Sequence, residues 1–297
     1  MNGYPQSNSD ESIAAELLTP LSRERQFFSY GMNTIAFVLS ILALLPLLSV
    51  SWEILVRGIS NLSLDIFTTP FIDGGFANAI VGTITMVAIA CVFSIPCGVI
   101  TGIFLAEFGQ ESKAGRFVRF VVTILTGVPS IVVGVFAYGT IVLATTYWTK
   151  GAASFSAVAG GFALGVIMLP IIALTTEEVL KLIPSSLRSA SAALGGTRFQ
   201  TISKVLLPAG ISGITTGILL AVSRAAGETA PLIFTALFSF YWSEGIFKET
   251  ASLSVLIFNF FTDDDPKIVE LVWTASIVLV GLVLFFNLLS RIITRRK

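Results

Sequence analysis

The 297-residue chain is 54% hydrophobic and 12% charged, its 18 basic side chains balance 18 acidic ones, and its mean hydropathy is +0.88. Soluble domains carry about 25% charged residues, so half the usual charge is missing and the outer face of this fold meets a bilayer rather than water. The even charge balance removes the simplest electrostatic case for nucleic-acid binding, and the absence of histidine excludes Ser-His-Asp and Cys-His catalysis, His-ligated metals and His-based pH switching.

A hydrocarbon core of about 30 Å takes about 20 apolar residues of helix to cross. Six such runs are predicted, at 31–50, 77–106, 120–147, 155–176, 209–240 and 271–290, together roughly half the chain. The fold class is therefore all-α, a polytopic bundle of six transmembrane helices over residues 30–291, between a segment 1–29 and a basic C-terminus at 292–297. The Asn, Ser and Asp of residues 1–12 read as a disordered tail, and the first run, lacking a small-residue cleavage pattern, reads as a retained span. Cys91 and Cys97, six apart, fall on different helix faces; no bridge can close between them, and they read as small packing residues. Gly98 and Gly102, Gly161 and Gly165, and Gly213 and Gly217 fit close helix contact within one bundle. The prolines at 46, 96, 129, 170 and 231 lie in or beside spans, and several are predicted to mark bends. The apolar segment 251–261 is too short to cross and is predicted to be a surface or re-entrant helix.

Basic residues beside spans stay on the cytoplasmic side. With the N-terminus inside, thirteen fall there: Arg23, Arg25, Lys113, Arg116, Arg119, Lys181, Arg188, Arg198, Lys204, Arg291, Arg295, Arg296 and Lys297. Arg57, Lys150, Lys248 and Lys267 fall outside, together with the acidic run Asp263-Asp264-Asp265. Both termini are predicted to be cytoplasmic.

The loop 177–208 is punctuated as two short helices. Pro184-Ser185-Ser186 starts the first, 187–194 forms its body, Gly195-Gly196 stops it, and Thr197-Arg198-Phe199-Gln200 matches a capping box that starts the second. Leu187, Ala190, Ala193 and Leu194 make a small apolar face that fits a groove on another protein. Composition leaves equally open a loop folded back onto its own membrane helices.

The run 209–240 would reach about 48 Å as one helix, so part of it must tilt, break or protrude. Near its centre stand Arg224 and Glu228. A charge at mid-membrane costs about 2.5–3.5 kcal/mol on insertion scales, so both should face inward, where their spacing of four puts them on one helical face. Gly227 and Pro231 weaken the helix there. A buried ion pair that fixes packing is one reading; the favoured one is a polar element, with Thr229 beside it, in a solute pathway. The planar fork of Arg224 suits an oxyanion, and Glu228 can accept the proton-bearing oxygen of hydrogen phosphate.

Arg188-Ser189-Ala190-Ser191-Ala192-Ala193-Leu194-Gly195, with Val205-Leu206-Leu207-Pro208 downstream, is similar to the EAA loop of ABC importer permeases, with Ser189-Ala190-Ser191 in place of Glu-Ala-Ala. The run Arg224-Ala225-Ala226-Gly227-Glu228-Thr229-Ala230-Pro231-Leu232 closely resembles the hallmark of one of the two permease subunits of bacterial phosphate-specific ABC importers. Gly127 to Gly134 (Gly-Val-Pro-Ser-Ile-Val-Val-Gly) and Thr250-Ala251-Ser252-Leu253 also look like that family, and the Ala-Pro-Leu continuation favours it over the sister subunit. The resemblance covers residues 30–291 and implies a type I permease of the bacterial cytoplasmic (inner) membrane. It further implies that Leu187, Arg188, Ser189, Ala190, Ser191, Leu194 and Gly195 dock on an ATPase. The implied partners are a second, PstC-like permease subunit, a PstB-like ATPase dimer and a PstS-like phosphate-binding protein touching loops 51–76 and 241–270. No Gly-x-x-x-x-Gly-Lys-Ser/Thr loop occurs, so this chain is expected to be no enzyme and to bind no cofactor, ATP and magnesium being used by the partner. Two alternatives stand beside this reading: a permease for phosphonate, sulfate or molybdate, and a secondary transporter or channel that works without ATP.

Overall fold

The computed structural model describes residues 23–60, 62–148 and 155–295; residues 1–22, which include the tail at 1–12, and Lys150, Arg296 and Lys297 lie outside them. Six helices are long and apolar enough to cross a membrane: Arg23–Ser60, Ala77–Phe108, Ser130–Trp148, Ala157–Leu182, Arg198–Ala226 and Pro266–Leu289. No strand occurs among the described residues. The chain is thus an all-α, multi-pass membrane protein.

By their contacts the described residues fall into two units, divided between Glu53 and Ile54. The described residues of the first are all helical, the start of α1 (Arg23–Ser60), and none is buried. The helix outgrows the predicted 31–50 at both ends, taking in Arg23, Glu24 and Arg25 before the apolar run and Glu53 and Arg57 after it, because hydropathy marks only the apolar part of a helix.

In the second unit the spine is α2 (Ala77–Ile103, prolonged by a π-helical turn at Phe104–Phe108) laid along α6 (Ala157–Leu182). The glycines make this possible. A Cβ on Gly98 would stand 2.8 Å from the Ile172 side chain and one on Gly102 2.5 Å from that of Thr176, while Gly161 and Gly165 meet Ile89 and Phe93 in the same way. Gly213 and Gly217 bring α9 (Leu207–Ala226) equally close to Val179 and Thr175 of α6. The predicted glycine contacts are therefore made inside the bundle. Between these three helices Met86, Ala90, Leu164, Met168, Ile172, Ala221 and Ala225 form the main core.

The predicted third span, 120–147, divides. Val128 is extended (φ −70°, ψ 127°) because Pro129 disfavours the helical region for the residue before it. What precedes is a separate helix, α3 (Lys113–Gly127), begun by the Ser112 side chain accepting from the Gly115 N–H at 2.9 Å. Most of its apolar side chains, Phe117, Phe120, Val121 and Ile124 among them, are exposed. The crossing itself is α4 (Ser130–Ala137), a π-helical turn at Tyr138–Val142, and α5 (Leu143–Trp148). Pro46, Pro96 and Pro170 sit inside continuous helices, so only Pro129 and Pro231 stand where a helix is interrupted. Cys91 packs against the core as expected, whereas Cys97 is exposed and packs on none of it.

The segment after the fifth span is α11 (Leu253–Phe260), eight residues begun by the Ser252 side chain accepting from the Val255 N–H. It is no surface helix: Leu253 and Leu256 are fully buried with Phe76, Val272 and Ala275, beside a stack of Phe71, Phe238 and Phe260. The last helix, α12 (Pro266–Arg295), exceeds the predicted 271–290 at both ends.

Candidate functional site

The long fifth run breaks, and it breaks at the charged pair. A short helix α8 (Arg198–Thr201) passes through a π-helical turn at Ile202–Leu206 into α9, which ends at Ala226. Gly227 and Glu228 turn off it, their N–H groups donating to the carbonyls of Arg224 and Ala225 at 3.1 and 3.2 Å. A single turn, α10 (Ala230–Ile233), follows with Pro231 at its start, where a missing N–H costs nothing. Residues beyond Ile233 are turns and loop, so the predicted span to 240 is in fact a helix, a break and an irregular return.

Arg224 Nε lies 3.5 Å from Glu228 Oε1. The pair meets around a helix end and not along one helical face, because Glu228 is already outside α9. The two side chains also differ in aspect: Glu228 is 16% exposed and Arg224 58%. Within this chain, then, the carboxylate is enclosed and the guanidinium is not. Ser223, Ala225 and Ala226 take the buried side of α9, which turns the guanidinium away from this chain's own core.

Three segments singled out by their residue pattern converge here. Gly134 abuts the break so closely that a Cβ on it would stand 2.7 Å from Pro231 Cα. Thr250-Ala251 runs past Gly82, where a Cβ would meet the Ala251 carbonyl oxygen at 2.0 Å. Just beyond, the Ser254 hydroxyl donates to the Glu228 carbonyl at 2.8 Å. The backbone freed at Gly227–Thr229 is thereby held by α4 and α11, the condition for irregular backbone at that depth.

At the opposite end of α9 lies the punctuated loop. α6 runs on to Leu182, six residues past the predicted end, because the buried Glu177 carboxylate is neutralised by Arg119 and Lys181. The loop proper then holds α7 (Ser185–Ala193), stopped by Gly195 at φ +77°, and α8, opened by the predicted capping box between Thr197 and Gln200. No residue of α7 is buried. Leu187 is 40% exposed, Leu194 90% and Phe199 77%, so the loop does not fold its apolar face onto its own helices. Ser189 and Ala190 are open to the surface. Arg188 and Ser191 are not part of that open face. Arg188 is turned inward onto Glu107 and the end of α6, and the Ser191 hydroxyl pairs with that of Thr201 at 2.8 Å.

Composition and spacing drew attention to the basic side chains near these helix ends and passed over their acidic partners Glu107 and Glu177. The signal was present: each stands at the end of an apolar run, where an acid against the local charge sign asks for a partner.

A helix broken at an ion pair, six crossings and an exposed helix-turn-helix loop define the membrane-embedded permease class of ABC importers. The fold is that of a chain in the "inward facing conformations of the MetNI methionine ABC transporter" (TM-score 0.58, 22% identity, 79% of this chain and 99% of that one). It is equally that of one from "a bacterial ABC transporter involved in the import of the acidic polysaccharide alginate" (TM-score 0.62, 14% identity, 92% and 96%). The profile of the family described as "Binding-protein-dependent transport system inner membrane component" matches residues 98–297. The "Phosphate transport system permease protein PstA" of Yersinia pestis is 40% identical over 93% of this chain and 94% of its own length. "PstA 1" of Mycobacterium tuberculosis is 31% identical over 97% of each. The chain belongs to the binding-protein-dependent inner membrane components and, within them, to the PstA permeases.

Proposed function

We propose that this chain is the permease subunit of an ATP-driven phosphate importer in the bacterial cytoplasmic membrane, forming half of the translocation pathway. Membership of the PstA permeases supports the substrate, and the helix break at Arg224–Glu228 is the observation that carries the site. Arg224 sits on the face of α9 turned away from this chain's core, so the pathway runs between this chain and a PstC-like second permease. Its planar fork gives two hydrogen bonds to neighbouring oxygens of an arriving phosphate. Glu228, less exposed, holds Arg224 in place between passages and accepts a hydrogen bond from the protonated oxygen of hydrogen phosphate. Thr229 adds a hydroxyl beside them, and Gly227 and Pro231 are the hinge.

The apolar face of Leu187, Ala190 and Leu194, with Ser189 beside it and Gly195 as the turn, docks on a PstB-like ATPase dimer, which uses the ATP and magnesium. Docked this way, the thirteen basic residues by the helix ends lie in the cytoplasm, as do both termini. A PstS-like binding protein delivers phosphate at the opposite end. ATP-driven closure of the ATPase pair shifts the population from inward-facing to outward-facing.

The test is reconstitution with the ATPase and binding proteins, scoring ATP-dependent phosphate uptake. The Arg224→Ala variant is expected to assemble and to lose at least about tenfold in uptake, a single charge-assisted contact being worth ~1.5–3 kcal/mol. Full-rate uptake by an assembled variant would remove Arg224 from the pathway.

A further inference from the structure

We infer that Arg188 and Glu107 are positioning residues that pass the stroke of the loop helix α7 into the membrane bundle. The inference rests on the coupling role proposed above and concerns how the motion travels.

α7 buries none of its residues, and the cluster at this end of the bundle, Ala106, Leu180, Ile202, Leu206 and Ile214, includes none of them either. An apolar grip on the bundle is therefore lacking. What α7 has is one inward side chain. Arg188 Nη2 donates to Glu107 Oε1 at 2.7 Å and to the Leu180 carbonyl at 2.8 Å, Nε reaches both Glu107 oxygens at 3.2 and 3.3 Å, and Nη1 donates to the Ile183 carbonyl at 2.8 Å. One guanidinium thus joins α7 to the end of α2 and to the last turn of α6, the two helices of the glycine-packed spine. The Ser191–Thr201 hydroxyl pair, by contrast, ties α7 only to the neighbouring α8.

Each part suits a joint. Glu107 stands in the π-helical turn 104–108, where the helix is locally wide. The carbonyls of Leu180, in the last turn of α6, and of Ile183, its C-cap, lie where a helix runs out of intrahelical donors; the Leu180 oxygen takes the Ile183 N–H at 3.4 Å as well as the guanidinium. A rigid fork with five donors fills this set of acceptors, and a lysine ammonium, a point charge on a flexible stem, does not. From the spine the linkage continues through Glu177 to Arg119 of α3, then through the Val128–Pro129 corner to α4, whose Gly134 abuts Pro231 beside the candidate gate. A push on α7 that the Arg188 clamp transmits moves this whole train; without the clamp, α7 keeps only its chain links, Ile183-Pro184 to α6 and 194–197 to α8, and the Ser191–Thr201 pair.

The test uses the whole importer in liposomes, with phosphate uptake and ATP hydrolysis read in parallel and ATPase co-purification scored for each variant. Glu107→Gln and Arg188→Lys are expected to retain the ATPase, while phosphate moved per ATP hydrolysed falls at least fivefold. A wild-type ratio in both variants overturns the inference. So does loss of the ATPase in step with uptake, which would make the clamp a feature of folding alone. If the wild-type assembly neither binds the ATPase nor takes up phosphate, the coupling role itself fails and this inference with it.

Discussion

Arg224 and Glu228 form an ion pair at 3.5 Å but are not equivalent, and substitution separates them. Glu228→Gln keeps the hydrogen-bonding shape and removes the charge that repels a fully deprotonated anion. Competition assays with the assembled importer are expected to show sulfate inhibiting phosphate uptake more strongly in this variant than in the wild type. Unchanged competition would move selectivity out of the permease. Steric limits are equally local. Gly102→Ala drives a methyl into Thr176 and the Ala173 carbonyl, an overpacking worth about 1–3 kcal/mol, so the unfolding midpoint of the solubilised protein should fall by several degrees. Gly139, with nothing within 4 Å of its Cβ position, is the control, and Gly139→Ala should match or slightly exceed the wild type, alanine being the better helix former by about 1 kcal/mol. Such residues were only partly legible in the sequence. The spacing of the glycines disclosed that helices touch, but not which partner each one meets. The position of Arg224 and Glu228 in an apolar run marked them, but how far each turns from the core depends on where α9 ends, a matter settled by Gly227 and by the small neighbours on its buried side.

Helices with strong local signals were legible to within a few residues. The capping box at Thr197 and the stop at Gly195 follow from short-range hydrogen bonding that needs no tertiary context. Thr197→Ala removes the acceptor for the Gln200 N–H and is expected to cost about 1 kcal/mol, visible as faster amide exchange at 198–201 with the spine unaffected. Where elements were misread, a distant partner decided. α6 passed its predicted end because Glu177 finds Arg119 on α3, fifty-eight residues earlier in the chain. Apolar residues flank Pro129 on both sides and make the third crossing look continuous in the sequence, although the proline ends one helix and opens the next. The exposed apolar residues of α3 carry the same composition as a lipid-crossing helix. Hydropathy alone cannot tell a helix beside the bundle from one that passes through it.

For the molecule as a whole, the six crossings follow from composition and the length of a bilayer, while the assembly surface follows from what the fold leaves uncovered. Leu194, at 90% exposure the most open of the loop's apolar side chains, contributes nothing to the fold. Leu194→Arg is therefore expected to leave membrane insertion and unfolding temperature unchanged and to abolish ATPase co-purification; retention of the ATPase would place the docking surface elsewhere. The buried helix α11 has a different consequence, one of timing. Its eight residues are too few to enter a bilayer as an independent span, yet Leu253 and Leu256 end fully enclosed between residues drawn from 71–80 and 268–279. Part of that enclosure is made of α12, which leaves the ribosome after α11 does. During synthesis α11 must therefore wait, and it seats only when the last helix arrives to close over it. A chain stopped after Asp265 should leave Leu256→Cys open to a water-soluble maleimide, and completion of the chain should protect it.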